Sequence, residues 1–535
     1  MPKNPKIKVI AKSPAEWFAE NKQIAGFDSP SRALYTSLRE FIENALDAAE
    51  SIGVLPEIRV RLRKLTKEEL EELGVALNKV KGEYFELVVK DNGMGMAYDD
   101  IPLLLGKVLV GTKFAVIQHR GRFGLGGKMA LIYAEMETGS PAEVFSARPN
   151  DKTVSHFVLK IDLRKNEPII YVRERLPKSH FVDPWWNEKL EHGTIIRVIT
   201  YGSWAGARNF VYKYLRLLAT ITPYATIVFE GPDVRKIFER VVDKMPSPPR
   251  ISKPHPQGID LATLRSLLEK TNAKTLKEFL TMEFQRVGPK TAENFCKYAG
   301  LDPNTLIKKL RNNEKLLVKI VSAAKSFNFL PPDASCLSPL GEDLLLEGVK
   351  AIFKPEWCSA VQRKPFSIEG HPVIVEAALA YGGNVPRGIR LFRFTNRIPL
   401  LFKEREDVAW KALESINLSN YGIKKDEAQL AFFVSIVSTK IPYSESSKDL
   451  VSPIPKLKQE IELAFRELLR RLKMYLSYKQ KKRLREETKS ILLKHASIFA
   501  RSLSNILKTD SILKLREDQI FPILVDLIDT VVEEE

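Results

Sequence analysis

The chain has 535 residues, of which 44% are hydrophobic and 28% are charged, and its formal net charge at pH 7 is +18. This length exceeds what one hydrophobic core supports, so about three domains are expected, and the composition excludes a disordered or fibrous protein. The positive charge favours a polyanionic partner, most simply nucleic acid, because neutralised phosphates release counterions, although a charge-rich surface that leans basic is the alternative.

Membrane, secreted and zinc-binding classes are not expected. The longest apolar runs, such as residues 428–437, are too short to cross a bilayer. The first residues contain no apolar segment of secretory length, which predicts a cytoplasmic, nucleoid-associated protein without a membrane partner. The cysteines Cys296, Cys336 and Cys358 are far apart and form no CxxC pattern, so neither a structural zinc site nor a disulfide framework is expected.

Two proline-rich stretches, residues 243–258 and 330–343, are predicted linkers that divide the chain into three parts. The first part mixes helices with alternating strands at 57–63 and 84–90, which predicts an α+β sandwich. The middle part, of about 85 residues, has helical periodicity throughout. The third part begins with strand-like segments and becomes helical from about 455 to 508; the strand-like segments are 372–382, 389–402 and 429–443.

The sequence REFIENALDAAE (39–50) predicts an amphipathic helix with an unusual polar side. Glu40, Asn44 and Asp47 are spaced i, i+4, i+7 and therefore form one row, opposite an apolar stripe. A solvated helix face is the ordinary interpretation. The alternative is a functional row, and it depends on what the rest of the chain supplies.

Two glycine-containing segments follow this helix. In VVKDNGMGM (88–96), Asp91 ends a strand, and a carboxylate there can accept a hydrogen bond from an exocyclic amine, although Asp-Asn-Gly is also a common turn. In GRFGLGGKMAL (121–131), glycines precede Lys128 and an apolar helix, and backbone N–H groups of such a loop can bind phosphates. Arg122 and Met129 exclude a Walker A loop, and a Rossmann βαβ unit is missing around it.

These segments together give the polar row a chemical interpretation. A magnesium ion that holds a triphosphate takes few protein ligands, and the Asn44 amide oxygen suits that role without adding charge. Glu40, one turn earlier, can orient and polarise a water for attack on the terminal phosphate. Asp47 would lie further along, towards the nucleobase.

The three segments, in this order, resemble the motifs of the GHKL ATPase superfamily, which includes gyrase, chaperone ATPases, sensor kinases and MutL. HGTIIRV (192–198) resembles the late Gly-Thr motif of that superfamily and places Thr194 near the adenine. The resemblance implies ATP and Mg²⁺ as cofactors, with Asn44 as the magnesium ligand and Glu40 and Lys440 as catalytic residues. The implied ATP-binding residues are Asn44, Asp47, Asp91, Gly93, Gly95, Met96, Thr112, Lys113, Gly121, Arg122, Phe123, Gly124, Leu125, Gly126, Gly127, Lys128, Thr194 and Lys440.

Residues 13–48, 327–345 and 393–402 further resemble the family of topoisomerase VI B subunits, of the type IIB topoisomerases. That resemblance implies an α+β multidomain fold. The first domain, at 1–243, would be a GHKL (Bergerat) ATPase α/β sandwich with an N-terminal exchange segment. An all-helical helix-two-turns-helix domain would follow at 244–329. The rest would be an α/β transducer with a long C-terminal helix at 330–480 and a C-terminal helical region at 481–535. The segment 284–301 matches the middle domain; its turn either presents N–H groups to a DNA phosphate or is a structural helix hairpin.

The same resemblance implies a mechanism. Lys440 of the transducer would reach the γ-phosphate, and Thr112 and Lys113 would lie in a lid over the nucleotide. ATP binding would join two B subunits, which capture a double-stranded DNA segment while two topoisomerase VI A subunits cut another, in an A2B2 heterotetramer that relaxes supercoiled DNA. The apolar and acidic end, 519–535, would help to dock the A subunit. The alternatives are a MutL-like or chaperone-like ATPase clamp and a DNA-binding scaffold with a degenerate nucleotide site; a sensor kinase is disfavoured.

Overall fold

The computed structural model describes residues 11–75, 83–110, 116–121, 125–424, 428–444, 448–507 and 516–534. Five residues of the predicted ATP site lie outside this part of the chain: Thr112, Lys113, Arg122, Phe123 and Gly124. The chain forms two compact units, one of Met1–Ile416 with Lys425–Phe465, the other of Asn417–Lys424 with Arg466–Glu535. No described helix combines the length and apolarity needed to cross a membrane.

The first part of the first unit is an α/β sandwich. Its sheet, as far as the chain is described, has the strand order β5-β4-β3-β6-β2-β1-β7-β8, and its pairs are antiparallel except for β1 with β7. The strands are β1 (Glu57–Lys64), β2 (Glu83–Lys90), β3 (Ala142–Ala147), β4 (Thr153–Asp162), β5 (Glu167–Pro177), β6 (Gly193–Gly202), β7 (Thr226–Glu230) and β8 (Arg235–Phe238). The helices are α1 (Pro14–Glu20), α2 (Pro30–Ser51), α3 (Lys67–Glu72), α4 (Ile101–Gly106), α5 (Gly126–Thr138) and α6 (Trp204–Ile221).

Helix α2 is the central helix of this sandwich. It begins where Ser29 caps the backbone N–H of Arg32 and Pro30 occupies the first turn, both of which favour a helix start. Its apolar side lies in the core, which continues from this sandwich into the third part of the chain. The helix is therefore held on one side and can present its polar row on the other.

The middle part has a hydrophobic core of its own, between Ile259 and Phe329. Its helices are α7 (Leu261–Lys270), α8 (Leu276–Glu283), α9 (Pro289–Ala299), α10 (Ile307–Arg311) and α11 (Glu314–Ser326). A capping box begins α8, since Thr275 and Glu278 each bond the other's backbone N–H. The all-helical prediction for this part is confirmed.

The third part is again α/β. Over the described residues its sheet has the order β10-β11-β14-β12-β13, with β9 also paired to β11, and β12 and β14 run parallel. The strands are β9 (Trp357–Gln362), β10 (Phe366–Ile368), β11 (His371–Tyr381), β12 (Gly388–Thr395), β13 (Ile398–Leu400) and β14 (Gln429–Ser438); the helices are α12 (Glu342–Phe353) and α13 (Val408–Glu414). The strand-like segment 389–402 is a hairpin rather than one strand, because the chain turns at Asn396 and Arg397.

The chain ends in two helices, α14 (Pro455–Leu507) and α15 (Glu517–Glu534). Helix α14 begins in the first unit and continues through the second, where Lys489 forms a 2.5 Å ion pair with Asp529 of α15. The predicted α+β multidomain fold with a long C-terminal helix is thus confirmed.

Candidate active site

The predicted polar row lies on one side of α2. Glu40 is buried, with 6% of its surface exposed, Asp47 is half-buried, and Asn44 is exposed. A merely solvated helix face would leave the Glu40 carboxylate in water, so its burial favours a functional row.

The Glu40 carboxylate belongs to a network of charges with two other residues of the same helix. Arg39 donates to Oε1 of Glu40 at 2.8 Å, and its Nε lies 3.6 Å from Oε1 of Glu43. Burial raises the pKa of Glu43 to about 7, while the charge of Arg39 opposes this rise. No sequence pattern singled out Arg39 or Glu43, and their nearness to Glu40 along the helix was the only signal.

The N-terminus of α5 meets the polar row. A Cβ atom added to Gly126 would lie 1.6 Å from Oε2 of Glu40, and one added to Gly127 would lie 2.9 Å from Nδ2 of Asn44. The N-cap residue, Leu125, gives this helix no side-chain cap. Because the first N–H groups of a helix have no partner within the helix, this end of the row is suited to phosphate.

Lys128, in the first turn of α5, also lies here. Its ammonium donates a hydrogen bond to the backbone carbonyl of Val110, and burial lowers its pKa to about 8. A phosphate would offer this buried cation a charged partner, and its role in binding phosphate stays a prediction.

Asp91 forms the other end of the site. Its Oδ1 accepts hydrogen bonds from the backbone N–H groups of Gly93 at 2.8 Å and Thr194 at 3.2 Å. Burial raises the pKa of Asp91 to about 7, although both hydrogen bonds oppose this shift. The structure thus joins the aspartate motif to the Gly-Thr motif, and the adenine contacts of Asp91 and Thr194 stay predictions.

The loop after Asp91 packs closely on α2. A Cβ atom on Gly93 would lie 2.5 Å from that of Ala48, and the N–H of Met94 donates to the Ala48 carbonyl at 3.2 Å. Gly95 is buried with φ +65°, a conformation that favours glycine.

A shared serine connects the remaining two predicted contacts of this loop. The N–H of Met96 donates to Oγ of Ser146 at 2.9 Å, and the same Oγ lies 3.0 Å from Oγ1 of Thr194. Met96 and Thr194 therefore lie on the same side of the site.

An arginine that the sequence analysis missed binds the third member of the row. Arg120 donates to Oδ1 of Asp47 at 2.9 Å and makes a double hydrogen bond, at 2.8 and 2.6 Å, to the Glu50 carboxylate. Gly121 follows directly and is half-buried. No local pattern in the sequence predicted this pairing, since 73 positions separate Arg120 from Asp47.

Two lysines of the third part are relevant. Lys440 is half-buried, and its ammonium lies 3.8 Å from Oε2 of the exposed Glu369. Lys448 donates to the backbone carbonyl of Arg120 at 3.5 Å, and its charge also acts on Glu43. The γ-phosphate contact of Lys440 stays a prediction, and Lys448 is a second cation beside the site.

The residues fit a metal held by few protein ligands. Within the described ranges, no group of three or more His, Cys, Asp and Glu side chains is arranged around a possible metal ion. Asn44 is an exposed residue with a neutral amide, one turn after Glu40 and beside Gly127 of α5, which suits a magnesium ion that keeps most of its waters.

Comparisons with known proteins show the family of this chain. A family model described as the transducer of the topoisomerase VI B subunit matches residues 332–489. The B subunit of type 2 DNA topoisomerase 6 from Metallosphaera sedula is 37% identical over 533 residues, covering 98% of this chain and 96% of that protein. Its counterpart from Saccharolobus islandicus is 37% identical over 507 residues, or 94% of this chain and 91% of that protein.

A solved structure of the DNA gyrase B subunit from Myxococcus xanthus is a more distant match. It shares 11% sequence identity with a TM-score of 0.40, over 86% of this chain and 95% of that one. This similarity is too low to support a functional inference.

Proposed function

This chain belongs to the family of type 2 DNA topoisomerase 6 B subunits, and we propose from this premise that it is the ATP-binding and ATP-hydrolysing component of a type IIB DNA topoisomerase. ATP-driven pairing of two such chains captures a DNA duplex, and double-strand cleavage and passage by the A subunits then relax supercoiled DNA. Membership of this family favours this function over a MutL-like or chaperone-like clamp and over a scaffold with a degenerate nucleotide site.

The observation on which the proposal rests is that two distant segments meet α2 at two separate points. The N-terminus of α5 reaches the helix at Glu40 and Asn44, and the loop after Asp91 reaches it at Ala48. Eight residues of helix separate Glu40 from Ala48, which is about 12 Å along the axis. An extended nucleoside triphosphate can therefore lie along the row, with its phosphates at α5 and its base at Asp91.

The chain's own groups then have distinct roles. Asp91 accepts a hydrogen bond from the exocyclic amine of adenine, while the first N–H groups of α5, with Lys128, bind the phosphates. Glu40 orients the attacking water and takes its proton, and Arg39 keeps that carboxylate in place. Asn44 would hold a magnesium ion, which would supply positive charge to the phosphate oxygens.

A lysine from the third part would stabilise the charge that develops on the terminal phosphate. We keep Lys440 as the residue implied by the family resemblance. Lys448 is a second candidate, because its charge acts on Glu43, which shares Arg39 with Glu40. Either lysine would make hydrolysis depend on where the transducer lies.

The proposed assembly is a homodimer of this chain, formed on ATP binding, joined to two A subunits around DNA. Helix α1 packs on this chain's own sandwich, where Ala15 and Ala19 are buried and the Ser13 hydroxyl donates to the Leu163 carbonyl. Exchange of this segment between protomers therefore has to replace these contacts. We propose four domains along the chain: the ATPase domain at 1–243, the helix-two-turns-helix domain at 244–329, the transducer at 330–480 and the A-binding region at 481–535.

The test is Glu40→Gln in the full chain. Nucleotide affinity should stay within a few-fold of wild type, because the side chain keeps its size, while hydrolysis falls about 10²–10⁴-fold. Glu72→Gln, at an exposed position of α3, is the matched control and should hydrolyse ATP normally. Undiminished hydrolysis by Glu40→Gln rejects Glu40 as the base.

The topoisomerase assignment has its own test. Co-expression of the chain with a topoisomerase VI A subunit should give ATP-dependent relaxation of supercoiled DNA, and Glu40→Gln should abolish it. A stable complex that binds ATP without strand passage would instead support a clamp or scaffold.

A further inference from the structure

The hairpin between β12 and β13 has an unusual turn. Its two central residues, Asn396 and Arg397, have φ values of +46° and +67°. Two-residue hairpin loops with positive φ at both positions favour Asn followed by Gly, because glycine alone adopts this conformation without steric cost. Here an arginine occupies the glycine position, so a guanidinium is kept where the backbone disfavours a side chain.

The Arg397 guanidinium is buried and fully engaged. It donates to the hydroxyl oxygens of Tyr224 at 2.7 Å and Ser338 at 2.8 Å, and it lies 3.4 Å from Oε2 of Glu50. Tyr224 also donates to Oε1 of Glu50 at 2.7 Å. A residue of the transducer hairpin therefore holds a carboxylate in the last turn of α2.

That carboxylate is shared with Arg120. Glu50 receives the double hydrogen bond of Arg120, which in turn donates to Asp47 of the polar row. Two guanidinium groups thus face two carboxylates in a largely buried cluster. Because removing one member leaves an uncompensated buried charge, the hairpin and Arg120 are held as a unit.

The backbone around Arg120 is tied to the same hairpin. Asn396 donates to the carbonyl oxygen of His119 at 3.0 Å, and Gln118 exchanges two hydrogen bonds, at 2.7 and 3.1 Å, with the backbone of Ser338. Ser338 is the residue that Arg397 also binds. The hairpin therefore positions the described segment 116–121 through side chains and backbone together.

We propose that Arg397 is a positioning residue for the nucleotide site, which holds Arg120 through Glu50 and so sets the orientation of Asp47. The proposal rests on the proposed function of the polar row. The position of the hairpin and nucleotide binding are then thermodynamically coupled. Displacing the hairpin weakens nucleotide binding, and nucleotide binding stabilises the hairpin.

The test uses the full chain and ADP, so that binding is measured without hydrolysis. Arg397→Met should weaken ADP binding about tenfold in calorimetry, and Arg397→Lys should lie between it and wild type because one ammonium cannot reach all three partners. Arg393→Met is the matched control: Arg393 is a buried arginine of the same hairpin that pairs with Asp407 at 3.1 Å, so ADP affinity should be unchanged.

Non-additivity separates positioning from general damage. The double variant with Arg397→Met and Asp47→Asn should bind ADP no more weakly than Asp47→Asn alone, because both substitutions act through the Asp47 carboxylate. Additive losses, an equal loss in Arg393→Met, or wild-type affinity in Arg397→Met would each overturn the proposal, whereas failure of the wild-type chain to bind ADP overturns the proposed function.

Amide hydrogen exchange gives a readout without nucleotide. Arg397→Met and Arg397→Lys should lose protection at the backbone N–H of Ser338, which donates to the Gln118 side chain at 2.7 Å, and Arg393→Met should keep it. Unchanged protection in the folded Arg397 variants overturns the link between the hairpin and the segment 116–121, even where Arg397→Met is poorly soluble.

Discussion

The Glu40 carboxylate and Gly126 are in such close contact that a methyl group on this glycine would fall 1.6 Å from Oε2. The first residue of α5 must therefore be glycine if the carboxylate is to stay where it is. This contact joins the predicted base to the predicted phosphate-binding end.

Gly126→Ala should displace Glu40 and lower ATP hydrolysis about 10²-fold or more, since a misplaced base loses its contribution to proton transfer. Gly127→Ala should do less, because its Cβ would meet only the end of the Asn44 side chain, at 2.9 Å. Steady-state hydrolysis and ADP binding measure both effects. Gly288→Ala, with no atom within 4 Å of its Cβ, is the control; equal hydrolysis by all three variants would contradict the contact.

Asp91 should make stability depend on pH. Burial raises its pKa from 3.8 to about 7, so between these values the folded protein keeps a proton that the unfolded chain has released. The contribution of Asp91 to the free energy of unfolding must then fall as pH rises from about 4 to 7, by up to about 1.4 kcal/mol per pH unit, and level off above.

Asp91→Asn should remove this contribution. We expect the difference in free energy of unfolding between wild type and Asp91→Asn to shift against wild type from pH 5 to 7, and to level off above about pH 8, where Asp91 is ionised in both states. Urea denaturation at each pH, followed by tryptophan fluorescence, measures it. A difference that does not vary with pH would show that Asp91 ionises normally.

Lys440 and Lys448 can be distinguished by alanine substitution. Removing the lysine that contacts the terminal phosphate should lower the rate of ATP hydrolysis roughly 10²–10³-fold, because this lysine stabilises charge in the transition state. Removing the other should have a small effect. Single-turnover hydrolysis in each variant decides between them, with Lys473→Ala, outside the first unit, as control. Two fully active alanine variants would exclude a transducer lysine from catalysis.

The C-terminal helix offers a test of the partner. Ile523, Leu527 and Val531 of α15 are 56%, 56% and 52% exposed and recur every four residues, so they form one apolar stripe. Leu527→Asp should prevent co-purification of the A subunit while leaving ADP binding intact, because a charge would have to be buried. Ile251→Asp, at a position 74% exposed in the linker, should have no effect. If Leu527→Asp still retains the A subunit, the interface lies elsewhere.

Much of the fold could be predicted from local patterns, and so could the polar row and the position of Asp91 in the site. The spacing of Glu40, Asn44 and Asp47 was enough to place them in one row, and the end of β2 placed Asp91, because helix and strand periodicities are set by residues close in sequence. The hairpin at Asn396 was not predicted, because its turn contains Arg397 at the position where an Asn-Gly pair would indicate a hairpin.

The amino-acid sequence by itself determined the elements, the row and the order of the motifs, all of which depend on neighbours within a few residues. Only the tertiary structure decided which charges meet. Arg120 lies 70 positions from Glu50, and Arg397 is further still along the chain. No periodicity relates such residues; they come together because a buried charge is costly unless the packed structure brings an opposite charge to it.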